Sequence, residues 1–254
     1  MIQVQLEKAY KLKKLFSSLT DSCSLSCFEG LMGTAFADNA DNPLCCAIHL
    51  GEYFYIAGSS DSTDFLKEAF EYARENSLVI VTLNEKIQTL AKNLYENRCN
   101  FVTRYQMDIN PKIDNNFLLR NINKISKDFE ILAIDEKIYN QALKNDWSKH
   151  FCCNFKNYQD FTEHAIGYAI MHNGKIVSGT SSYSYYSKGY EVVIATSPEY
   201  RRQGLALVSA SAFLIECVKR NKIPHWDAAN EKSLALSRKL GYSLLRKYNG
   251  IELL

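Results

Sequence analysis

The sequence predicts a mixed α/β (α+β) fold, a twisted mixed sheet flanked by helices, written twice along one chain. Three observations carry that expectation. The segment EYFYIAGS (52–59) resembles YEVVIATS (190–197), both apolar, rich in aromatic or β-branched residues, and each followed by a turn and a helical pattern. Further on, LVIVTLNEK (78–86) answers KIPHWDAANEK (222–232), and each runs into a helix and a last short strand, NFVTRYQM in the first copy and YSLLRKYN in the second. A length of 254 residues also exceeds the usual single domain and suits two of about 110 to 130 residues.

Taken in order, the amino terminus MIQVQLEKAYKLKKLF mixes charges into its apolar residues and offers no run for an export signal or membrane span, so a cytoplasmic protein is expected. The first copy follows. Residues 108–128, dense in Asn, Asp and Lys, read as a connection over the surface, which places the boundary near residue 125 and gives domains 1–125 and 126–254. The second domain reads as a strand (130–134), helices through Trp147 and Phe161, a hairpin turning at Asn173-Gly174, and the strand YEVVIAT. Residues 205, 208, 212 and 215 then mark an amphipathic helix opening near Gly204.

Composition excludes several classes. Hydrophobic content of 46% with charged content of 23% describes a globular rather than a disordered chain. Eight cysteines without an export signal, two pairs of them adjacent (Cys45 with Cys46, Cys152 with Cys153), read as free thiols, and the absence of paired C-x-x-C knuckles argues against a metal site. A net charge of +2, spread along the chain, gives no case for nucleic acid or an anionic membrane.

Two features point to chemistry. Arg201 and Arg202 stand just before the helix opening at Gly204, where the helix dipole makes cations the wrong sign for stability. A diphosphate suits that place, since free backbone N–H groups and a glycine without a side chain let it approach closely; a solvated arginine pair on a turn is the bland alternative. The second feature is a polar stripe on NEKSLALSRKLGY: Asn230, Ser233 and Ser237, spaced i, i+3, i+7, fall opposite the charged face, beside Leu234, Leu236 and Leu240. Inward polar groups need protein partners or a ligand, and Asn230 also serves as an ordinary helix cap. In the first copy Asn84 opens the matching helix, while Ile87 and Ala91 replace the serines.

These residues resemble the GNAT superfamily of acyl-CoA-dependent N-acyltransferases. Arg201-Arg202-Gln203-Gly204-Leu205-Ala206 fits the family's pyrophosphate loop, and the segment from Asn230 to Tyr242 resembles its second CoA-contacting segment. Within the superfamily the likeness is to a two-domain bacterial group that includes the zwittermicin-resistance acetyltransferases, on Ile194-Ala195-Thr196, Tyr200-Arg201 and Trp226-Asp227 with Asn230 and Ser233. The resemblance implies acetyl-CoA as cosubstrate without a metal, a small-molecule amine as partner, and a degenerate first copy beside an intact, catalytic second one. A homodimer is the one protein partner allowed for. It further implies cofactor contacts from Ile194, Ala195, Thr196, Arg201, Arg202, Gln203, Gly204, Leu205, Ala206, Asn230 and Ser233, with the thioester carbonyl held by backbone N–H groups around 194–196. The family's usual tyrosine acid falls on Ser237, the residue then facing the departing thiolate. In the first copy Asp61 and Asp64 stand where the second has its arginines and would repel a diphosphate.

An amine attacking a thioester must be neutral, so a base is expected. Glu191 is the candidate, a carboxylate in an otherwise apolar strand on the face of Val193 and Ala195; a strand-edge Glu paired with a lysine is the alternative. Tyr183, Tyr185, Tyr186 and Tyr190 suit either an aromatic acceptor pocket or half-buried sheet surface. The rival readings of the whole chain are a non-catalytic acetyl-CoA-binding or interaction protein and a tandem aminoacyl-tRNA-dependent transferase, which calls for a basic groove and no CoA loop.

Overall fold

The computed structural model describes residues 1–16 and 21–254 and divides into two compact units. The first comprises Met1–Tyr105 with Arg246–Leu254, the second Gln106–Leu245. The expected boundary near residue 125 is thus displaced, and the chain's last residues join the first unit. A linear reading misses this because strand pairing, not sequence distance, decides which unit a terminal strand joins.

The first unit contains β1 (Ile2–Val4), α1 (Ser22–Phe28), β2 (Thr34–Ala37), β3 (Cys45–Leu50), β4 (Tyr53–Gly58), α2 (Thr63–Glu75), β5 (Val79–Val81), α3 (Glu85–Tyr95) and the start of β6 (Cys99–Met107). On α2, Phe65, Leu66, Ala69, Phe70 and Ala73 fall on one face, and they pack with Phe54, Ile56, Ile80 and Ile87 into the core. β4 runs parallel to β5 from Tyr53↔Val79 to Tyr55↔Val81.

The second unit contains α4 (Asn115–Asn123), β7 (Glu130–Ala133), α5 (Glu136–Ala142), α6 (Tyr158–His164), β8 (Gly167–His172), β9 (Lys175–Tyr186), β10 (Gly189–Thr196), α7 (Leu205–Lys219), β11 (Ile223–His225), β12 (Asp227–Ala228) and α8 (Glu231–Lys239). The chain closes with β13 (Leu244–Leu253), whose Gly250, Ile251 and Glu252 pair with Val81, Ile80 and Val79 in the first unit's sheet, ordered β1-β2-β3-β4-β5-β13-β6. The second unit's sheet has five strands in the order β11-β10-β9-β8-β7, antiparallel apart from the parallel pair β10–β11.

Asn173 and Gly174 turn the β8–β9 hairpin with φ +50° and +73°, the left-handed pair that a two-residue hairpin demands. The segment expected as a bare connection holds α4, capped by Asp114 and anchored by the fully buried Leu118. Its packing also changes the picture of α7, read from its spacing as amphipathic with one apolar face, because the helix is buried on two faces. Ser209, Ala210 and Ser211 are buried along with Leu205, Phe213 and Leu214, because the sheet takes one face, where Thr180 and Ser209 share a 2.8 Å hydrogen bond, and α4 another, where Asn121 donates to Ser211 at 3.2 Å. All eight cysteines are free thiols. Among the described residues, no helix is long and apolar enough to cross a membrane.

Candidate active site

The second unit's sheet opens into a fork. β10 pairs with β11 only at Gly189↔Ile223, Tyr190↔Pro224 and Glu191↔His225; a bulge against β9 follows between Glu191 and Val192, and β11 ends. Gly189, Tyr190 and Glu191 are buried, whereas Val192 to Thr196 are half-buried and keep β9 as their partner. Their remaining N–H and C=O groups therefore face the gap. The repeat aligns Tyr55 with Val193, so the first copy is zipped two positions deeper than the second. It is also bridged, since the Asn84 side-chain amide donates to Gly58 O at 3.0 Å.

Glu191 sits at the crotch, only 8% exposed, where its Oε1 accepts the backbone N–H of Asp227 at 3.1 Å. Beyond it, Tyr242 donates its hydroxyl to Pro224 O at 2.9 Å, and complete burial raises its pKa well above the ordinary tyrosine value. His225, paired with Glu191 across the strands, shares a 2.9 Å hydrogen bond with the Tyr186 hydroxyl, and burial pulls its pKa from 6.5 down to about 4. The unfolded chain takes that proton near pH 6.5 and the folded protein only near pH 4. Stability present above pH 6.5 is therefore lost as pH falls through this window, by about 3 kcal/mol in full. His225→Gln, which removes the titration, should flatten the slope of unfolding free energy measured in urea between pH 6.5 and 4.

At the far end of β10 the loop places its side chains differently from one another. Arg201 Nε donates back to Thr196 O at 3.2 Å, Arg202 is exposed in the left-handed region at φ +65°, and Gly204 follows at φ +80°. No side chain caps α7, so its first N–H groups stay open at Gly204, Leu205 and Ala206. Gln203, Gly204 and Leu205 line a cavity of about 380 Å³ with Asn121, Lys124 and Phe129.

The polar stripe on α8 finds protein partners. Asn230 accepts from the N–H groups of Lys232 and Ser233, both at 3.0 Å, as Asn84 does for Lys86 and Ile87 in the first unit. Ser233 Oγ accepts the indole N–H of Trp226 at 3.0 Å. Ser237 is fully buried and donates to Leu234 O at 2.9 Å, so its proton is committed to the helix backbone and not to the fork. Ser233→Ala should leave the Trp226 N–H, on a ring 4% exposed, without its partner and cost about 1 to 3 kcal/mol in urea unfolding. Neither the Trp226–Ser233 bond nor the Asp227 N–H under Glu191 leaves a trace in hydrophobic periodicity, because both join residues of different elements.

The family model for GNAT acetyltransferase spans residues 13–251. The chain belongs to that family. Among GNAT relatives, the uncharacterised N-acetyltransferase YdfB of Bacillus subtilis (strain 168) is 25% identical over 224 residues, covering 85% of this chain and 84% of YdfB. A GCN5-related N-acetyltransferase-like protein from Streptococcus suis 89/1591 superposes with a TM-score of 0.92 at 27% identity, covering 99% of this chain and 100% of the other. A tandem GNAT protein from the clavulanic acid biosynthesis pathway shares the fold at TM-score 0.61 and 10% identity, over 98% and 96% of the two chains. The mixed sheets flanked by helices are thus a GNAT fold in a two-domain arrangement, and the chain is an acetyltransferase by family.

Proposed function

We propose that this protein acetylates a primary amine of a small molecule with acetyl-CoA, by direct attack at a single site in the second unit. The observation that carries the reading is the fork between β10 and β11, whose unpaired strand edge connects a buried carboxylate to an open helix N-terminus. The diphosphate of the cosubstrate lies against the N–H groups of Gly204 to Ala206, with Arg201, Arg202 and Gln203 around it. Its acetyl-thioester arm enters the fork along Ile194, Ala195 and Thr196.

In the reaction, the amine nitrogen loses a proton to Glu191, directly or through a water, and attacks the acetyl carbon. The carbonyl oxygen gains charge and is held by strand N–H groups at 194–196, a contribution usually larger than that of the base. The C–S bond then breaks, the thiolate leaves with its electron pair, and the nitrogen's second proton passes to solvent water or to that thiolate, which leaves a neutral amide. A thiol pKa of about 8.5 lets it depart without an acid, which suits the inward bond of Ser237. Asn230 and Ser233 serve the site by fixing the start of α8 and the Trp226 ring.

The first unit is read as a degenerate copy. Its fork is bridged by Asn84, and the cavity of about 420 Å³ at its turn is lined by Asp38, Asp61, Asp64 and Glu68, which repel a diphosphate. The resemblance to the zwittermicin-resistance group supports an aminopolyol, an amino sugar or an amino acid as acceptor, and the charged amino-terminal segment 1–16 supports a cytosolic enzyme. The test is a CoA-release screen with acetyl-CoA across amino sugars, aminopolyols, amino acids and polyamines, together with calorimetric stoichiometry. One acetyl-CoA per chain with amine-dependent release is expected. Binding with no release for any amine favours the non-catalytic alternative, and two bound per chain removes the degenerate-copy reading.

A further inference from the structure

The loop between Thr196 and α7 holds a conformation that its own residues disfavour. Arg202 carries a side chain yet sits at φ +65°, a strain that persists only where surrounding structure over-determines it. The over-determination comes from Tyr200, the residue before the two arginines. Its ring packs against Leu205, Val208, Ile170 and Val177 and stands edge-on to Phe129 at 6.3 Å, and its hydroxyl lies 2.9 Å from Nδ1 of His172.

His172 is itself fixed. It ends β8 opposite Lys175, at the Asn173-Gly174 turn, and its ring lies 5.2 Å from Phe129. The Asn173 amide lies 3.5 Å from Nε2, so the imidazole is held between Asn173 on one nitrogen and the Tyr200 hydroxyl on the other. In the first copy the corresponding turn is tied by Ser62, which donates to Asp38 at 2.6 Å, and it has no left-handed residue bearing a side chain. The imidazole–phenol anchor packed on an apolar cluster thus accompanies the one loop of the two that carries a strained arginine.

We propose that His172 and Tyr200 are positioning residues for the pyrophosphate loop. The rigid β8–β9 hairpin, acting through the His172–Tyr200 bond, presets Arg202 and Gly204 so that the N–H groups opening α7 are already aimed when the diphosphate arrives. Ordering the loop before binding removes an entropy cost from association, so the pair acts on cosubstrate affinity and not on the acyl-transfer step. The inference rests on the acetyl-CoA reading above.

The experiment compares Tyr200→Phe, which keeps the ring and loses the bond, with His172→Phe, His172→Gln and the double variant Tyr200→Phe/His172→Phe. Acetyl-CoA affinity is read by calorimetry, kinetics with the best amine from the release screen, and folding by melting temperature. Tyr200→Phe and His172→Phe should each raise Kd and KM for acetyl-CoA about tenfold with kcat within twofold, the double variant should be no worse than either single one, and His172→Gln, which retains a donor, should recover most of the affinity. A lowered melting temperature with unchanged acetyl-CoA affinity overturns the proposal, as do additive losses in the double variant. Parent protein that fails to bind acetyl-CoA overturns the reading beneath it as well.

Discussion

Gly204→Glu should abolish acetyl-CoA binding, a loss of at least a thousandfold in affinity, in a protein that remains folded. Both halves of that outcome follow from the geometry. A β-carbon built at Gly204 meets no heavy atom within 4 Å, so the side chain has room. The backbone at φ +80° favours glycine, and the left-handed strain costs about 1 to 2 kcal/mol, a loss that a domain of this size survives. The carboxylate, however, falls at the uncapped opening of α7, where it takes the N–H groups for itself and repels the diphosphate. Gly204→Asn supplies the control. Asparagine tolerates the left-handed region and carries no charge, so it should bind acetyl-CoA less tightly than the parent, because its side chain holds the diphosphate off, but far more tightly than Gly204→Glu. Calorimetry with acetyl-CoA and a melting curve for each variant make the test, and an unchanged Kd in Gly204→Glu removes the loop from the cofactor site.

The contrast between the two copies shows which parts of this fold a sequence displays. Asn173-Gly174 between alternating apolar residues announces its hairpin because turn type depends on two backbone conformations that few residues adopt. Asn84 and Asn230 announce their helices for a similar reason, since a cap acts on its own helix. The helix α4 is hidden: its Asn-rich sequence lowers helix propensity, and burial of Leu118 and the bond from Asn121 to Ser211 outweigh that preference. The departure of β13 to the first unit is hidden too, because Ile251 pairs equally well in principle with any apolar strand edge, and the choice of Ile80 depends on the whole chain.

At the candidate site, periodicity puts Asn230, Ser233 and Ser237 on one face but says nothing of partners. Their orientation alone suggests a ligand, whereas Trp226 N–H, Leu234 O and two helix N–H groups satisfy them within the protein. The loop is more legible, as arginines ahead of a helix start carry their own electrostatic anomaly. Its strain and its Tyr200 anchor are hidden, since φ at Arg202 depends on contacts from β8.

Glu191→Gln should lower kcat/KM by about 100-fold to 10,000-fold at neutral pH while leaving acetyl-CoA affinity and folding near those of the parent. The substitution preserves shape, and the glutamine carbonyl oxygen can still accept the Asp227 N–H that Oε1 accepts at 3.1 Å. What it loses is the capacity to take a proton. An alkylammonium with a pKa near 10.4 presents only about four parts in ten thousand as free amine at pH 7, so without a base the attacking species is scarce. The deficit should therefore shrink as pH rises, because the substrate increasingly supplies its own neutral form. With the base in place the parent rate should level off at lower pH, whereas the variant's rate continues to climb toward the amine's own pKa. Paired pH profiles of kcat/KM with the best amine from the release screen measure this. Equal rates for parent and variant at pH 7 would return Glu191 to the role of a buried strand carboxylate that ties β10 to Asp227, and would leave deprotonation of the amine to another group at the fork.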